Sequence, residues 1–344
     1  MAIDISLAQL SRLTGCQSVR VLETVQSLWS GYGVIVRVEL VGLPNHDAPQ
    51  PAIVKFVSPP GDDQSGHKYG WDGNVSHQRK LSSYQNEFAW YRTLASECDA
   101  NCRVPKLIAG EYQDPTWLFV LEDLDAAGFQ LRHHGASEQQ LHACIVWLAN
   151  FHATFLSDSQ ASQSQSSGMD HGLWPIGTYW HLGTRPDELR QMPASSLKDA
   201  AAKIDQRLNA ARFQTIVHGD AKLANFCFSD DDSVAAVDFQ YVGGGCGMKD
   251  LAYLISSCLS EDECERQEQS LLTLYFDQLK AAVFAKTTNG FTSQQWGDLE
   301  AEWRGLYRFA WADFYRFLAG WSPGHWKMHR YSERLAAECC RILK

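Results

Sequence analysis

Between Thr215 and Gln240 two polar clusters lie about a dozen residues apart, each flanked by short apolar β runs. The first is His218-Gly219-Asp220-Ala221-Lys222-Leu223-Ala224-Asn225, set between Ile216-Val217 and the run Phe226 to Phe228. The second is Val237-Asp238-Phe239-Gln240, which closes the run Val234 to Val237. A strand–loop–strand unit of this kind, embedded in a stretch of otherwise helical periodicity, presents carboxylates and an amide from adjacent loops. Few folds accommodate that arrangement.

The pattern upstream is different. Ser18 to Leu28 and Val34 to Val41 carry alternating or β-branched apolar residues around the turn Trp29-Ser30-Gly31-Tyr32-Gly33, which reads as a hairpin. A third strand, Pro51 to Val57, places Lys55 inside Ala52-Ile53-Val54-Lys55-Phe56-Val57, where a lysine costs free energy unless it is paired. Pro59 to Ser76 is rich in Gly, Asp and His without periodicity and is expected to be a long loop. Helical character is expected over Leu81 to Ala95, carrying Glu87, and β character from Val104 to Leu124. Beyond the acidic junction Leu121 to Asp125 the chain turns helical, with Leu141 to Phe155 amphipathic and Ser157 to Gly168 a Ser/Gln tract read as a surface insertion. The expected fold is α+β with two lobes: a small β-rich N-terminal lobe over 1–124, ending in a hinge, and a larger, mainly helical lobe over 125–344. A cleft between lobes is the usual place for a ligand.

Phosphoryl transfer needs a group that orients the attacking hydroxyl and oxygen ligands for the metal that bridges the phosphates. Asp220 suits the first role, and Asn225 and Asp238 suit the second. HGDxKxxN followed by DFQ resembles the catalytic and metal motifs of the aminoglycoside phosphotransferase and choline kinase superfamily, relatives of protein kinases with their HRDxxxxN and DFG. Leu121-Glu122-Asp123-Leu124 and Asp250-Leu251-Ala252-Tyr253 are most similar to the ecdysteroid-kinase-like branch. The resemblance spans about Val21 to Leu259.

That resemblance implies ATP and Mg²⁺ as cofactors, Asp220 as base, and Asn225 and Asp238 as metal ligands. It implies that Lys55 holds the α- and β-phosphates and pairs with Glu87, and that Leu121 to Leu124 forms the hinge over adenine, with Glu122 and Leu124 nearest. Ser30 to Gly33, with Gly31 and Gly33, becomes either a phosphate-covering turn or a plain hairpin turn. Lys222 either neutralises the γ-phosphate during transfer or makes a structural contact to Asp220. Asp250 is expected to brace the catalytic loop and His152 to be packed. No GxxxxGK[ST] occurs, which disfavours a P-loop enzyme.

The acceptor implied is a small alcohol. Only about a dozen residues, glycine-rich over Val242 to Gly247, separate Asp238 from Asp250, too few for a peptide-presenting activation segment. Two rivals remain, a protein kinase and a degenerate kinase fold that only binds a nucleotide or metabolite. The net charge of −10 argues against a non-specific nucleic-acid binder. No apolar run approaches the roughly 20 residues that span a bilayer. No signal peptide is visible, and the ten scattered cysteines read as reduced thiols in a cytoplasmic protein. No protein partner is inferable. In the aromatic segment Trp303 to Trp326, one helical stripe (Trp303, Tyr307, Ala310, Phe314, Phe317, Trp321) is expected in the core. Off it, Trp311 and Asp313 are expected to line the acceptor side of the cleft.

Overall fold

Alternating side chains on five strands build a sheet whose central strands are buried on both faces, while its edge strand Ser18–Ser27 is mostly exposed. The computed structural model describes residues 6–60, 73–159, 171–286 and 290–344. Helix α1 (Leu7–Thr14) precedes strands β1 (Ser18–Ser27), β2 (Gly33–Val41) and β3 (Gln50–Val57). Helix α2 (Gly73–Thr93) then leads into β4 (Leu107–Gln113) and β5 (Thr116–Glu122). The strands pair in the order β1-β2-β3-β5-β4, antiparallel throughout. On β5 the period of two is visible in the packing. Trp117, Phe119 and Leu121 join the large core shared with α2, whereas Leu118 and Val120 join a smaller cluster with Leu10 of α1 and Val36, Val38 and Val54 of the sheet.

The second lobe is mainly helical. It contains α3 (Glu138–Thr154), β6 (Ser157–Asp158), α4 (Pro186–Gln191), α5 (Ser196–Asn209), β7 (Phe213–Val217), β8 (Phe226–Phe228) and β9 (Val234–Ala236). These are followed by β10 (Gly243–Gly245), α6 (Met248–Cys258), α7 (Glu261–Ala285), α8 (Ser293–Trp321) and α9 (Arg330–Ile342). Helices α3, α7 and α8 each begin in a capping box, Ser137 with Gln140, Ser260 with Glu263 and Thr292 with Gln295, which satisfies otherwise orphaned N–H groups. The small strands form two pieces, β10-β7-β6 and β8-β9, and these hold the two polar loops. The expected two-lobed α+β architecture is the one observed.

Three expectations need correction. Helix α2 begins at Gly73, eight residues before Leu81. Its first turns carry Asn, Ser, His, Gln, Arg and Lys, so no apolar stripe announces them, and the helix propagates back from its packed end. The rest of the expected Pro59–Ser76 loop falls largely on residues 61–72, outside the described residues. Ser157 and Asp158 are not part of a loop but pair with Gln214 and Phe213, and Arg212 locks Asp158 in an ion pair at 2.7 Å. Residues 160–170 of that tract lie outside the described residues. Finally, Trp321 leaves the core stripe of α8 and is 46 % exposed, because the helix ends there.

Candidate active site

Strand β3 carries Lys55 on the face that looks toward α2. Its ammonium meets Glu87 Oε2 at 2.6 Å, and the two residues are 5 % and 2 % exposed. Burial pushes the Glu87 carboxyl above its ordinary range, and Lys55 pulls against that shift. The cost of a lysine in an apolar strand is thus met by a buried partner.

The loop after β7 is fixed from below. Asp250, at the start of α6, accepts the His218 N–H at 2.6 Å through Oδ2 and the Gly219 N–H at 2.9 Å through Oδ1. His152 Nε2 lies 3.2 Å from the same carboxylate, and its Nδ1 lies 2.7 Å from the Tyr275 hydroxyl, so this histidine is a fully buried brace. Gly219 has φ of 81°, and a Cβ there would stand 2.0 Å from the Tyr241 carbonyl oxygen. Only glycine fits. His218 takes the Asp220 N–H on Nδ1 (3.2 Å) and faces the Val237 carbonyl with Nε2 (3.0 Å), a pairing that needs the proton on Nε2 and ties the two polar loops together.

Asp220 is thereby held at the mouth of the cleft. Its Oδ2 accepts from Lys222 Nζ at 2.7 Å and from Asn225 Nδ2 at 3.0 Å. Burial pushes the Asp220 carboxyl up, and the Lys222 charge draws it back down. Burial also works against the Lys222 ammonium, but the Asp220 carboxylate outweighs it and holds that group above its ordinary range. Asn225 Nδ2 also donates to the Asp220 carbonyl at 2.8 Å, so both donor contacts of the amide point at Asp220 and its oxygen is left over. Asp238 sits at φ of 70°, a left-handed conformation that a non-glycine residue rarely holds. Its Oδ1 is buried with no hydrogen-bond partner among the described residues.

An orphaned carboxylate oxygen beside a spare amide oxygen fits a hard divalent cation. Among the described residues no group of three or more His, Cys, Asp or Glu is arranged to hold a metal. Two protein oxygens are a donor set of the kind that holds a hard divalent cation with few protein ligands.

These groups line one cleft of about 760 Å³, together with Leu28, Glu122, Leu124 and Tyr179. The Glu122 side chain pairs with Arg103 and accepts the Lys106 N–H at 3.1 Å. Burial raises its carboxyl, but Arg103 and Lys106 outweigh burial and hold it low. The Glu122 N–H is used by the Lys106 carbonyl (2.9 Å), and the Leu124 carbonyl is used by the Phe129 N–H (2.8 Å). Gly31 stands in the β1–β2 turn and Gly33 opens β2, both outside the cleft lining, while their neighbours Leu28 and Trp29 are in it. Gly33 has a local reason to be glycine, since a Cβ would meet the Phe56 carbonyl oxygen of β3 at 2.0 Å.

Trp311 and Asp313 are not in the cleft. Both are 1 % exposed on the inner side of α8. Trp311 packs edge-on against Tyr331 at 5.1 Å. Asp313 holds Arg316 at 2.7 Å, and Arg316 also donates to the Trp180 carbonyl at 2.9 Å. The expectation failed because α8 is enclosed nearly all round between Leu306 and Gly320, so leaving one stripe there means entering another packed face. From α8 it is Trp321 that lines the cleft, with Tyr179 and Tyr253 beside it.

Asn86 carries a further contact with no sequence signal. From α2 its Nδ2 reaches the carbonyls of Phe239 (3.3 Å), Gln240 (3.2 Å) and Val242 (3.0 Å), and its Oδ1 accepts the Trp174 N–H at 2.6 Å. Phe239 stacks on Trp90 of the same helix, with ring centroids 4.8 Å apart.

Residues 45–284, well over half the chain, match the family model described as the phosphotransferase enzyme family, APH. The chain belongs to the phosphotransferase family. Membership makes it a phosphotransferase in the broad sense. No curated protein matches its sequence. Among solved structures this phosphotransferase is similar to a microcompartment-associated aminopropanol kinase, with 11 % identity, 99 % of this chain and 96 % of that one covered, and a TM-score of 0.43. It is similar to choline kinase from Cryptosporidium parvum Iowa II (10 %, 99 % and 90 %, 0.47). It is likewise similar to a thermostable mutant of aminoglycoside phosphotransferase APH(4)-Ia in ternary complex with ADP and hygromycin B (10 %, 98 % and 98 %, 0.47).

Proposed function

We propose that this phosphotransferase moves the γ-phosphate of ATP to the hydroxyl of a small molecule, and that it stands nearest the ecdysteroid-kinase-like branch of its superfamily. The observation that carries the reading is the convergence on one cleft of the Lys55–Glu87 pair, the Asp220–Lys222–Asn225 cluster and the unpartnered Asp238 oxygen.

In this reading adenine lies against the hinge, where the Glu122 carbonyl and the Leu124 N–H are the backbone groups left to address it. Lys55, oriented by Glu87, binds the α- and β-phosphates. Asn225 and Asp238 would supply the protein ligands to Mg²⁺, which when bound would offset the charge of the phosphates. Asp220 accepts a hydrogen bond from the acceptor hydroxyl and takes its proton as the oxygen attacks the γ-phosphorus and ADP leaves. Lys222 stays beside Asp220 and faces the transferred group.

Strand β10 (Gly243–Gly245) pairs with β7 directly after the Asp238 loop, so this stretch is tied into the fold rather than free to present a peptide. A small alcohol is the better acceptor. The test is ATP turnover across an alcohol panel, with Asp220→Asn as control. Turnover that falls about 10²-fold or more in the variant, with Mg·ATP binding kept, supports the reading. ATP binding without turnover of any alcohol would identify a nucleotide-binding protein instead.

A further inference from the structure

One side chain joins the β1–β2 turn to α2. Lys80 Nζ donates to Ser30 Oγ at 3.0 Å and stands 4.3 Å from the centre of the Tyr32 ring. Lys80 lines the cleft, as do Ser83, Tyr84 and Glu87. Spacings of three and four place these residues on one face of α2. Lys80 therefore shares a face with Glu87, which lies two turns or about 10 Å farther along the helix axis. Between them Ser83 Oγ meets Gln240 Oε1 at 3.3 Å, so that face runs beside the Asp238 loop.

Strand register fixes which end of the cleft Lys80 occupies. On β3, Ala52 pairs with Glu122 of the hinge, and Val57 pairs with Gly33, where the turn ends. Lys55 lies between them, so hinge, Lys55 and turn follow one another along the strand. A nucleotide with adenine at the hinge and its α- and β-phosphates on Lys55 points its terminal phosphate at the turn, and so at Lys80. The charges of the lining agree. Arg37, Arg132, Lys55 and Lys222 each hold a carboxylate, respectively Asp123, Asp125, Glu87 and Asp220. Among the described residues Lys80 has no carboxylate partner, and a hydroxyl and a ring stand in for one. Burial and the neighbouring Arg79 charge both push its ammonium below the ordinary range. A phosphate oxygen is a stronger acceptor for that ammonium than a serine hydroxyl, because both partners are then charged.

Resting on the kinase reading above, we infer that Lys80 is a further nucleotide-binding residue, which exchanges the Ser30 hydroxyl for an oxygen of the terminal phosphate of ATP. The transferred phosphate then lies between two ammonium groups, Lys80 from α2 and Lys222 from the loop after β7. Lys80 distinguishes a triphosphate from a diphosphate and takes no part in proton transfer. Once the phosphate has left, ADP offers Lys80 nothing better than Ser30.

The test is calorimetric titration of the full chain, in Mg²⁺, with adenosine, ADP and a non-hydrolysable ATP analogue. Lys80→Met should weaken binding of the analogue about tenfold or more, and that of ADP and adenosine less than about threefold. Lys80→Arg should keep most of the analogue affinity. Ser30→Ala removes the tie but not the ammonium, and should leave that affinity within about threefold or raise it. A Lys80→Met protein that weakens ADP and the analogue equally, or weakens neither, overturns the inference. So does a Ser30→Ala protein that falls as far as Lys80→Met, because the tethered turn and not the ammonium would then hold the phosphate. A second measurement needs no variant. Acetylation of Lys80 in the wild type, read by mass spectrometry, should be slowed by the analogue and not by ADP, and equal labelling with both overturns the inference. Selectivity for the analogue that depends on Lys80, in a chain that turns over no alcohol, would leave the phosphate contact in place and remove the kinase reading. Alcohol turnover with an analogue affinity indifferent to Lys80 would do the reverse.

Discussion

Lys222 Nζ lies 2.7 Å from Asp220 Oδ2, so the candidate base shares one of its oxygens with a cation two residues away. Burial raises the Asp220 carboxyl, and Lys222 is the largest influence opposing that rise. Removing the cation must move the carboxyl further up. In Lys222→Met the acid limb of the kcat–pH profile is therefore expected to shift to higher pH, with activity partly recovered as pH is raised. A limb that stays in place while kcat falls uniformly would mean that Lys222 acts on the phosphate and not on the base.

Asp238→Asn removes the charge from an orphaned, buried oxygen without changing its shape. The expected result is a higher Mg²⁺ requirement, with activity partly restored at raised metal concentration. Superimposed metal titrations for variant and wild type would take Asp238 out of the ligand set.

Lys55→Ala strands Glu87 in a site that is 2 % exposed. Losing one partner of a buried pair costs roughly 3–5 kcal/mol, so the melting temperature should fall along with ATP affinity. Adding Glu87→Gln should recover much of the melting temperature and none of the ATP affinity. Thermal melts and nucleotide titrations of the single and double variants separate the two roles.

Trp311→Ala deletes a large side chain that is 1 % exposed. A loss of about 3–5 kcal/mol of stability is expected, with acceptor KM unchanged. A raised acceptor KM at undiminished stability would return Trp311 to the cleft wall.

Lys327 sets a pH dependence of folding. Burial lowers its pKa from the ordinary 10.5 to about 8, while the charges of Asp220 and Cys258 support it and that of Lys222 opposes it. Below pH 8 both folded and unfolded chains carry the proton, and the folded state bears the full cost. Between about 8 and 10.5 the unfolded chain holds more protons, so this contribution to stability improves as pH rises. Lys327→Met should be more stable than wild type at pH 7 by up to about 3 kcal/mol, and the advantage should vanish near pH 10.5. Denaturant melts at pH 7, 9 and 10.5 measure it, and a constant difference would contradict the assignment.

The parts of the site legible in sequence were those whose chemistry contradicts their surroundings. Lys55 in an apolar strand demanded a partner, and the structure supplies Glu87 at 2.6 Å. Asp220, Asn225 and Asp238 lie within a short stretch between strands, so their proximity follows from local chain geometry. Asp250 was expected as a brace from the family resemblance, and its carboxylate accepts the His218 and Gly219 N–H groups. Tyr179 and Asn86 were not legible. Each reaches its place through long-range packing, and Tyr179 is separated from the motif by whole helices. An aromatic stripe reports that a helix is buried, but on α8 both sides of the stripe are packed, so periodicity alone could not assign Trp311 to wall or core.

The grip of Asn86 on the carbonyls of Phe239, Gln240 and Val242 has a mechanical consequence. Helix α2 belongs to the smaller lobe by sequence order, yet it is bolted to the larger one one residue before Glu87. Asn86 and Glu87 are consecutive residues of one helix, the first tied to the carbonyls around Asp238 and the second to Lys55 of the sheet. Helix α2 is therefore a rivet through both lobes, and a change at the Asp238 loop is one helix residue away from the Lys55 ion pair.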